Sequence, residues 1–414
     1  MFEAAQALDF QSSRALGLRP FRSSRLPPQE QGRPALRGTR RSFASALRCH
    51  ISPLCLLLAF AGLLGLASAA GAQQGALPDP DSSADRPVFS FDSPLGPVEY
   101  VAGRGLRVGS GLTIGGFTTL ELDDDEAEPG SIELDSVNFL VLFEPIDALR
   151  FFAELEVGNL LRYEFGADVD SNPEVNTERL YLDLSRGDSL NVRLGKFQTP
   201  VGRWNLVPAE PFVWTASDPV LVERAFDEHQ TGGALFGSFY PGSHTLSYWL
   251  YGQFVDPLDP DPDAENADRS VGGRLEFGEP LGDWSVGTSL LLSERKDDWN
   301  TLGGLDAVAR IGPLELTTEF AAVSNGIPER SLWGIYLQGV YDLGSVSRSL
   351  RDFYFVARYE HLDPRGTSED ANLWDLGITW IPVDYLNVKA GYRLSDRQTE
   401  DVRDGLTASL SVLF

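Results

Sequence analysis

The sequence predicts an all-β chain: a transmembrane antiparallel β-barrel of about 16 strands, with short periplasmic turns on one rim and long extracellular loops on the other. Three observations lead there. Past residue 105, apolar and polar residues alternate with a period of two, and helical i, i+3, i+4 stripes are scarce. Past residue 72, no apolar run reaches the ~18 residues that a helical membrane span requires. The connections between alternating segments sort by parity, short then long, which a barrel across a bilayer explains and a soluble sandwich does not.

The first element is a leader. Residues 1–50 are rich in Arg, Ser and Pro without apolar periodicity. Ile51 to Ala70 is an apolar run preceded by Arg40, Arg41 and Arg48 and followed by Gly71 and Ala72. Basic, apolar and then small residues is the layout of a secretory signal peptide. The competing reading is a retained membrane helix, against which Ser52 and Pro53 shorten the run. The expected organisation is therefore an extension and signal peptide over 1–72, a periplasmic segment over 73–105 and a barrel over 106–414, with export to the outer membrane.

Charge supports that division. The chain carries 60 acidic and 34 basic residues, a formal net charge of −26. Nine arginines but only three acids fall in 1–72, so the remainder is more acidic still. Such a balance argues against nucleic acid as a partner, since phosphate binding needs a basic surface. Cys49 and Cys55, the two cysteines, both lie in the leader, so the rest can form neither a disulfide nor a thiolate metal site.

The strands are read from alternation. Leu149, Phe151, Ala153, Leu155 and Val157 alternate with Arg150, Phe152, Glu154 and Glu156. Leu386, Val388, Ala390, Tyr392 and Leu394 alternate with Asn387, Lys389, Gly391 and Arg393. One face is apolar and the other polar, as in a strand between lipid and water. Applied throughout, the rule gives segments at 106–122, 131–143, 149–163, 177–185, 189–197, 231–240, 245–255, 269–277, 284–293, 301–311, 314–323, 332–342, 353–361, 372–381, 386–394 and 405–414. Tight connections such as Gly312-Pro313 alternate with longer, mostly acidic ones; the 343–352 connection is long for a turn. Trp284, Trp380, Phe143 and Phe414 stand at the turn ends of strands and Trp299, Trp333 and Trp374 at the loop ends, the positions of interfacial aromatic girdles. The C-terminal Ser409–Phe414 string resembles the strand by which outer-membrane assembly machinery recognises its clients, with Phe414 as the terminal aromatic.

The segment Arg193-Leu194-Gly195-Lys196-Phe197-Gln198-Thr199-Pro200-Val201-Gly202-Arg203-Trp204 looks like the G-K-F-x-x-P-x-G motif of Gram-negative porins and is closest to that of the phosphate-selective porin O and P family. Glu223-Arg224-Ala225-Phe226 also resembles that family. The resemblance implies a 16-stranded barrel, usually trimeric, in which the loop after this motif (here 198–230) folds inward and narrows a channel. Its implied partners are outer-membrane lipid and small hydrophilic solutes or ions. The phosphate label does not follow, because a dianion in a narrow pore needs a cationic track. Strand parity instead places Arg150, Arg179, Arg193, Arg274, Arg310, Arg358, Lys389 and Arg393 inside, balanced by Glu154, Glu156, Asp183, Glu276, Asp306, Glu315, Glu319 and Glu360. Eight charges of each sign predict no clear ion preference. The expected pore and constriction residues are Arg193, Lys196, Arg203, Glu210, Glu223, Arg224, Arg150, Glu154, Lys389 and Arg393. The rival expectation is a non-conducting barrel, plugged by the same loop, with a structural or surface-binding role.

The remaining motifs give way to simpler readings. The acidic 256–263 loop lacks the Gly and closing Glu of a calcium-binding EF-hand. Ser324-Asn325-Gly326 faintly resembles a phospholipase motif but has no histidine in the matching position, and a serine without a base is inert. No enzyme, catalytic residue, metal ligand or cofactor is expected.

Overall fold

The computed structural model describes residues 87–414 except 126–128, 168, 261–265, 280–281, 297, 326–330, 365–369 and 398–403. The leader and signal segment, residues 261–263 of the EF-hand-like string and Gly326 lie outside the described residues.

Strands β1 (Phe89–Ser93), β2 (Gly96–Val101) and β3 (Gly105–Val108) form a short antiparallel meander. The barrel begins with β4 (Leu112–Asp125), β5 (Ser131–Ile146) and β6 (Leu149–Gly158). A small hairpin, β7 (Leu161–Glu164) and β8 (Val169–Asp170), extends from β5. The wall resumes with β9 (Glu174–Ser185), β10 (Asn191–Gln198), β11 (His229–Phe239), β12 (Thr245–Gln253) and β13 (Arg269–Gly278). It continues through β14 (Trp284–Arg295), β15 (Asp298–Ile311), β16 (Leu314–Asn325) and β17 (Leu332–Asp342). The last four strands are β18 (Phe353–Pro364), β19 (Ala371–Val383), β20 (Leu386–Ser395) and β21 (Gly405–Leu413). Each wall strand pairs antiparallel with the next, and β21 pairs with β4 from Gly405↔Asp125 to Leu413↔Phe117. The sheet is a closed ring of sixteen strands, which leaves no wall edge unpaired.

The polarity of the wall is that of a membrane barrel. In β14, Ser285, Ser289 and Ser293 are buried, whereas Val286 and Leu290 are exposed. The outer surface carries Leu194, Leu235, Leu250, Leu275, Leu305, Leu337 and Leu376 as exposed side chains. An apolar exterior around a polar interior inverts the soluble pattern. Among the described residues no helix is long and apolar enough to cross a membrane. Trp299 and Trp374 stand half-exposed at the loop side, while Phe353 stacks on Trp380, and His244 and Trp284 flank Phe277, at the turn side.

Two expected strands need correction. The 106–122 segment is β3 and β4, parted by a turn at 109–111 where Gly109 has φ +60°. The 149–163 segment is β6 and β7, broken at Asn159, whose φ of +52° ends the extended backbone. The 343–352 connection holds two 3-10 turns, Leu343–Ser345 and Arg348–Leu350, and disturbs neither the pairing of β17 with β18 nor the strand count.

Candidate functional site

The lumen is organised by the segment between β10 and β11, residues 199–228, which folds inside the ring. Its start depends on two glycines of the motif. Gly195 has φ +135°, and a side chain there would strike the carbonyl of Leu180 on β9. Gly202 has φ +64°, and a side chain there would collide with the carboxylate of Glu319 on β16. That carboxylate accepts the backbone N–H of Arg203 at 2.8 Å, the N–H of Trp204, and the Tyr336 hydroxyl at 2.8 Å. The chain is thereby turned across the lumen at its first opportunity.

From there the segment leans on one side of the wall. Arg203 pairs with Glu276 of β13 at 3.1 Å and bonds Ser285 of β14. Arg358 of β18 donates to the carbonyls of Ser217 and Asp218 at 2.9 and 3.1 Å. Lys389 of β20 donates to the carbonyl of Thr215 at 3.1 Å and to Glu210. Arg393 donates to the Asp218 carbonyl at 3.3 Å, and Asn387 to that of Pro211 at 3.0 Å. A short helix, α1 (Val220–Ala225), buries Val220 and Leu221 beside Tyr336, Leu362 and Leu373. Apolar burial on this scale adds roughly 1.5–3 kcal/mol per large side chain, and the buried carbonyls receive the donors they need.

Basic side chains of the inner wall are consumed in this docking or by neighbouring acids. Arg193 lies over the Tyr181 ring, its guanidinium carbon 3.6 Å from the centroid, and bonds both oxygens of Asp183 at 2.8 Å. Arg274 pairs with Asp306 and Glu276, and Arg179 with Glu154. Arg358 pairs with Glu360 and with Asp375 at 2.9 Å each, and Arg393 with Asp375 at 3.1 Å.

Open space remains on the opposite side, between the segment and β4, β5, β6 and β9. A cavity of about 160 Å³ is lined by Asp135, Glu154, Glu156, Glu178, Glu210, Asp218 and Glu228, with Arg179 as the single basic residue among those lining it. It shares Glu178, Pro208, Asp218 and Glu228 with a cavity of about 670 Å³ towards the long loops. Burial, then the charges of Glu210 and Glu223, push the Asp218 carboxyl up to about 8 against the opposing pull of Arg358. Burial likewise raises Glu228 and Asp227.

Of the ten residues expected at the pore, Lys196, Glu223 and Arg224 line the larger cavity and Glu154 and Glu210 the smaller. Arg193, Arg203, Arg150, Lys389 and Arg393 line neither; they hold wall to wall or wall to loop, Arg150 through Glu144 at 2.6 Å. Asp135, Glu178 and Asp375 were missed. Alternation within β19 could have identified Asp375, whereas Asp135 turns inward only through a bulge opposite Thr119 and Leu120 that breaks the alternation of β5. Glu178 could not be found that way, because a bulge opposite Glu154 and Leu155 turns both Glu178 and Arg179 inward. With these acids added, the even balance of eight and eight gives way to an acidic interior.

No protein-family model and no curated protein sequence matches the chain. Solved structures do. The chain is similar to the anion-selective porin from Comamonas acidovorans (12% identity, TM-score 0.53, covering 73% of this chain and 99% of that one). It is similar to outer-membrane expressed OmpT of Vibrio cholerae (14%, TM-score 0.52, 73% and 97%) and to Salmonella typhi OmpF in complex with daunomycin (12%, TM-score 0.52, 73% and 97%). At these identities the likeness is one of architecture: the chain has the sixteen-stranded antiparallel barrel fold of Gram-negative outer-membrane porins in general.

Proposed function

We propose that the chain is exported to the outer membrane and forms there a water-filled diffusion channel for small hydrophilic solutes, preferring cations over anions. One observation carries the reading: the smaller cavity beside the inward segment is lined by seven acidic residues and one basic residue, and that arginine is paired. Carboxylates facing each other across a low-dielectric passage concentrate cations and repel anions. The Gly195–Gly202 turn chemistry supports a relationship to the porin O and P architecture, and with it a trimer of barrels. The same lining speaks against phosphate as the solute. The stacking of Phe414 edge-on to Phe139, 6.1 Å between centroids, supports a finished C-terminal strand of the kind assembly machinery recognises. A reversal potential in a tenfold KCl gradient across a planar bilayer tests the preference. The potential is expected to carry the sign of K⁺ permeation; a potential of zero or of Cl⁻ sign refutes it.

A second reading, a plugged barrel with a structural role, is favoured by the apolar packing of Val201, Trp204, Val213, Leu221 and Phe226 inside the ring. Liposome swelling in small sugars separates the two, because a plugged barrel produces none.

A further inference from the structure

We infer that Glu178, Glu228 and His229 form a binding site for a zinc-class divalent transition metal at the loop-side end of the lumen. The three ligand atoms, one from each residue, lie within 4.8 Å of one another. His229 Nε2 stands 3.4 Å from a Glu178 carboxylate oxygen and 3.8 Å from one of Glu228. Ligands held tetrahedrally at zinc-like bond lengths of about 2.0–2.1 Å are about 3.3 Å apart, so small side-chain movements close the shell.

A second observation points to a ligand. His229 Nε2 is buried and has no hydrogen-bond partner, although two acceptors stand beside it. A buried ring nitrogen left unbonded is unfavourable, and a metal ion between the three residues would satisfy it together with both carboxylates. All three residues line the larger cavity, which leaves a fourth position for water. Gln198 donates to Glu228 at 3.4 Å and orients that carboxylate from behind.

The donor set selects the metal. One imidazole and two carboxylates suit Zn²⁺ and its neighbours, whereas Ca²⁺ takes six or more oxygens and Mg²⁺ keeps an octahedral oxygen shell. Lys196 and Arg179 stand nearby and weaken the attraction, but Arg179 is neutralised by Glu154 and Lys196 donates to the carbonyl of Asp259. The ligands come from β9, from the last residue of the inward segment and from the first residue of β11. A bound ion would therefore fasten the segment's exit to the wall.

The test is calorimetric titration of zinc into the untagged, EDTA-treated full chain in detergent, with Cys49 and Cys55 changed to serine. One saturable zinc site is expected, at least tenfold weaker in Glu178→Gln and lost in both His229→Ala and His229→Gln. Heat-modifiable gel mobility confirms that each variant is folded. Absence of saturable binding by the folded chain, undiminished binding in either folded His229 variant, or tighter binding of calcium than of zinc overturns the assignment. The readout is independent of conductance, so it stands whether the barrel is open or plugged.

Discussion

Gly202 and Glu319 fit one another as a turn fits its anchor: the glycine leaves the space that the carboxylate fills, and the two following backbone N–H groups both donate to its Oε1. The pair decides where the inward segment turns, and hence which wall it covers. Gly202→Ala places a side chain against that carboxylate in a left-handed conformation, a strain of about 1–3 kcal/mol. Single-channel recording is expected to show larger, noisier currents as the segment loosens. Currents identical to those of the unaltered chain contradict this.

Arg193 and Asp183 are a different kind of pair, sealed into the wall. Each is 1% exposed, so removing one partner strands the other. Arg193→Ala should cost about 3–5 kcal/mol in denaturant unfolding while leaving ion preference unchanged. A changed preference with unchanged stability would return Arg193 to the pore.

The outer face has its own test. Leu290 is exposed midway along β14, where lipid surrounds a membrane barrel. Leu290→Arg should destabilise the barrel in vesicles by about 2–4 kcal/mol. A neutral effect would mean that this face meets water.

On the proposed cation preference, Asp218 should make permeation depend on pH. Its carboxyl is raised from 3.8 to about 8, so it is mostly neutral at pH 7 and charged at pH 9. The K⁺/Cl⁻ permeability ratio should therefore rise between those values, and Asp218→Asn should flatten the rise. The folded state also keeps a proton that the unfolded chain loses above about 4, so segment docking weakens as pH rises from there towards about 8. A ratio independent of pH in the unaltered chain contradicts the charge assignment.

Much of this was legible beforehand, for physical reasons that differ by element. The wall follows from local alternation, because burial on one face leaves a period-two record; the 332–342 segment and β17 coincide residue for residue. Breaks made by backbone alone leave a weaker record: the turn at Gly109 and the kink at Asn159 are flanked by residues that keep alternating. The motif glycines marked the inward segment, yet its direction depends on Glu319, more than a hundred residues away. Counting inner charges by sign could not foresee that Arg358, Lys389 and Arg393 would be spent on loop carbonyls. Nor could adjacency in Glu228-His229 reveal Glu178, which reaches them only across β10.

The arrangement stands on which wall the segment leaves open, and thiol accessibility reports that directly. In a chain with Cys49 and Cys55 changed to serine, Asp135→Cys lines the smaller acidic cavity. Thr379→Cys lies under the docked segment, where the native threonine is 0% exposed and bonds the Trp214 carbonyl. A cationic methanethiosulfonate reagent should react with Asp135→Cys and lower its current while leaving Thr379→Cys untouched. Block at Thr379→Cys with none at Asp135→Cys would place the passage on the other side and contradict the account.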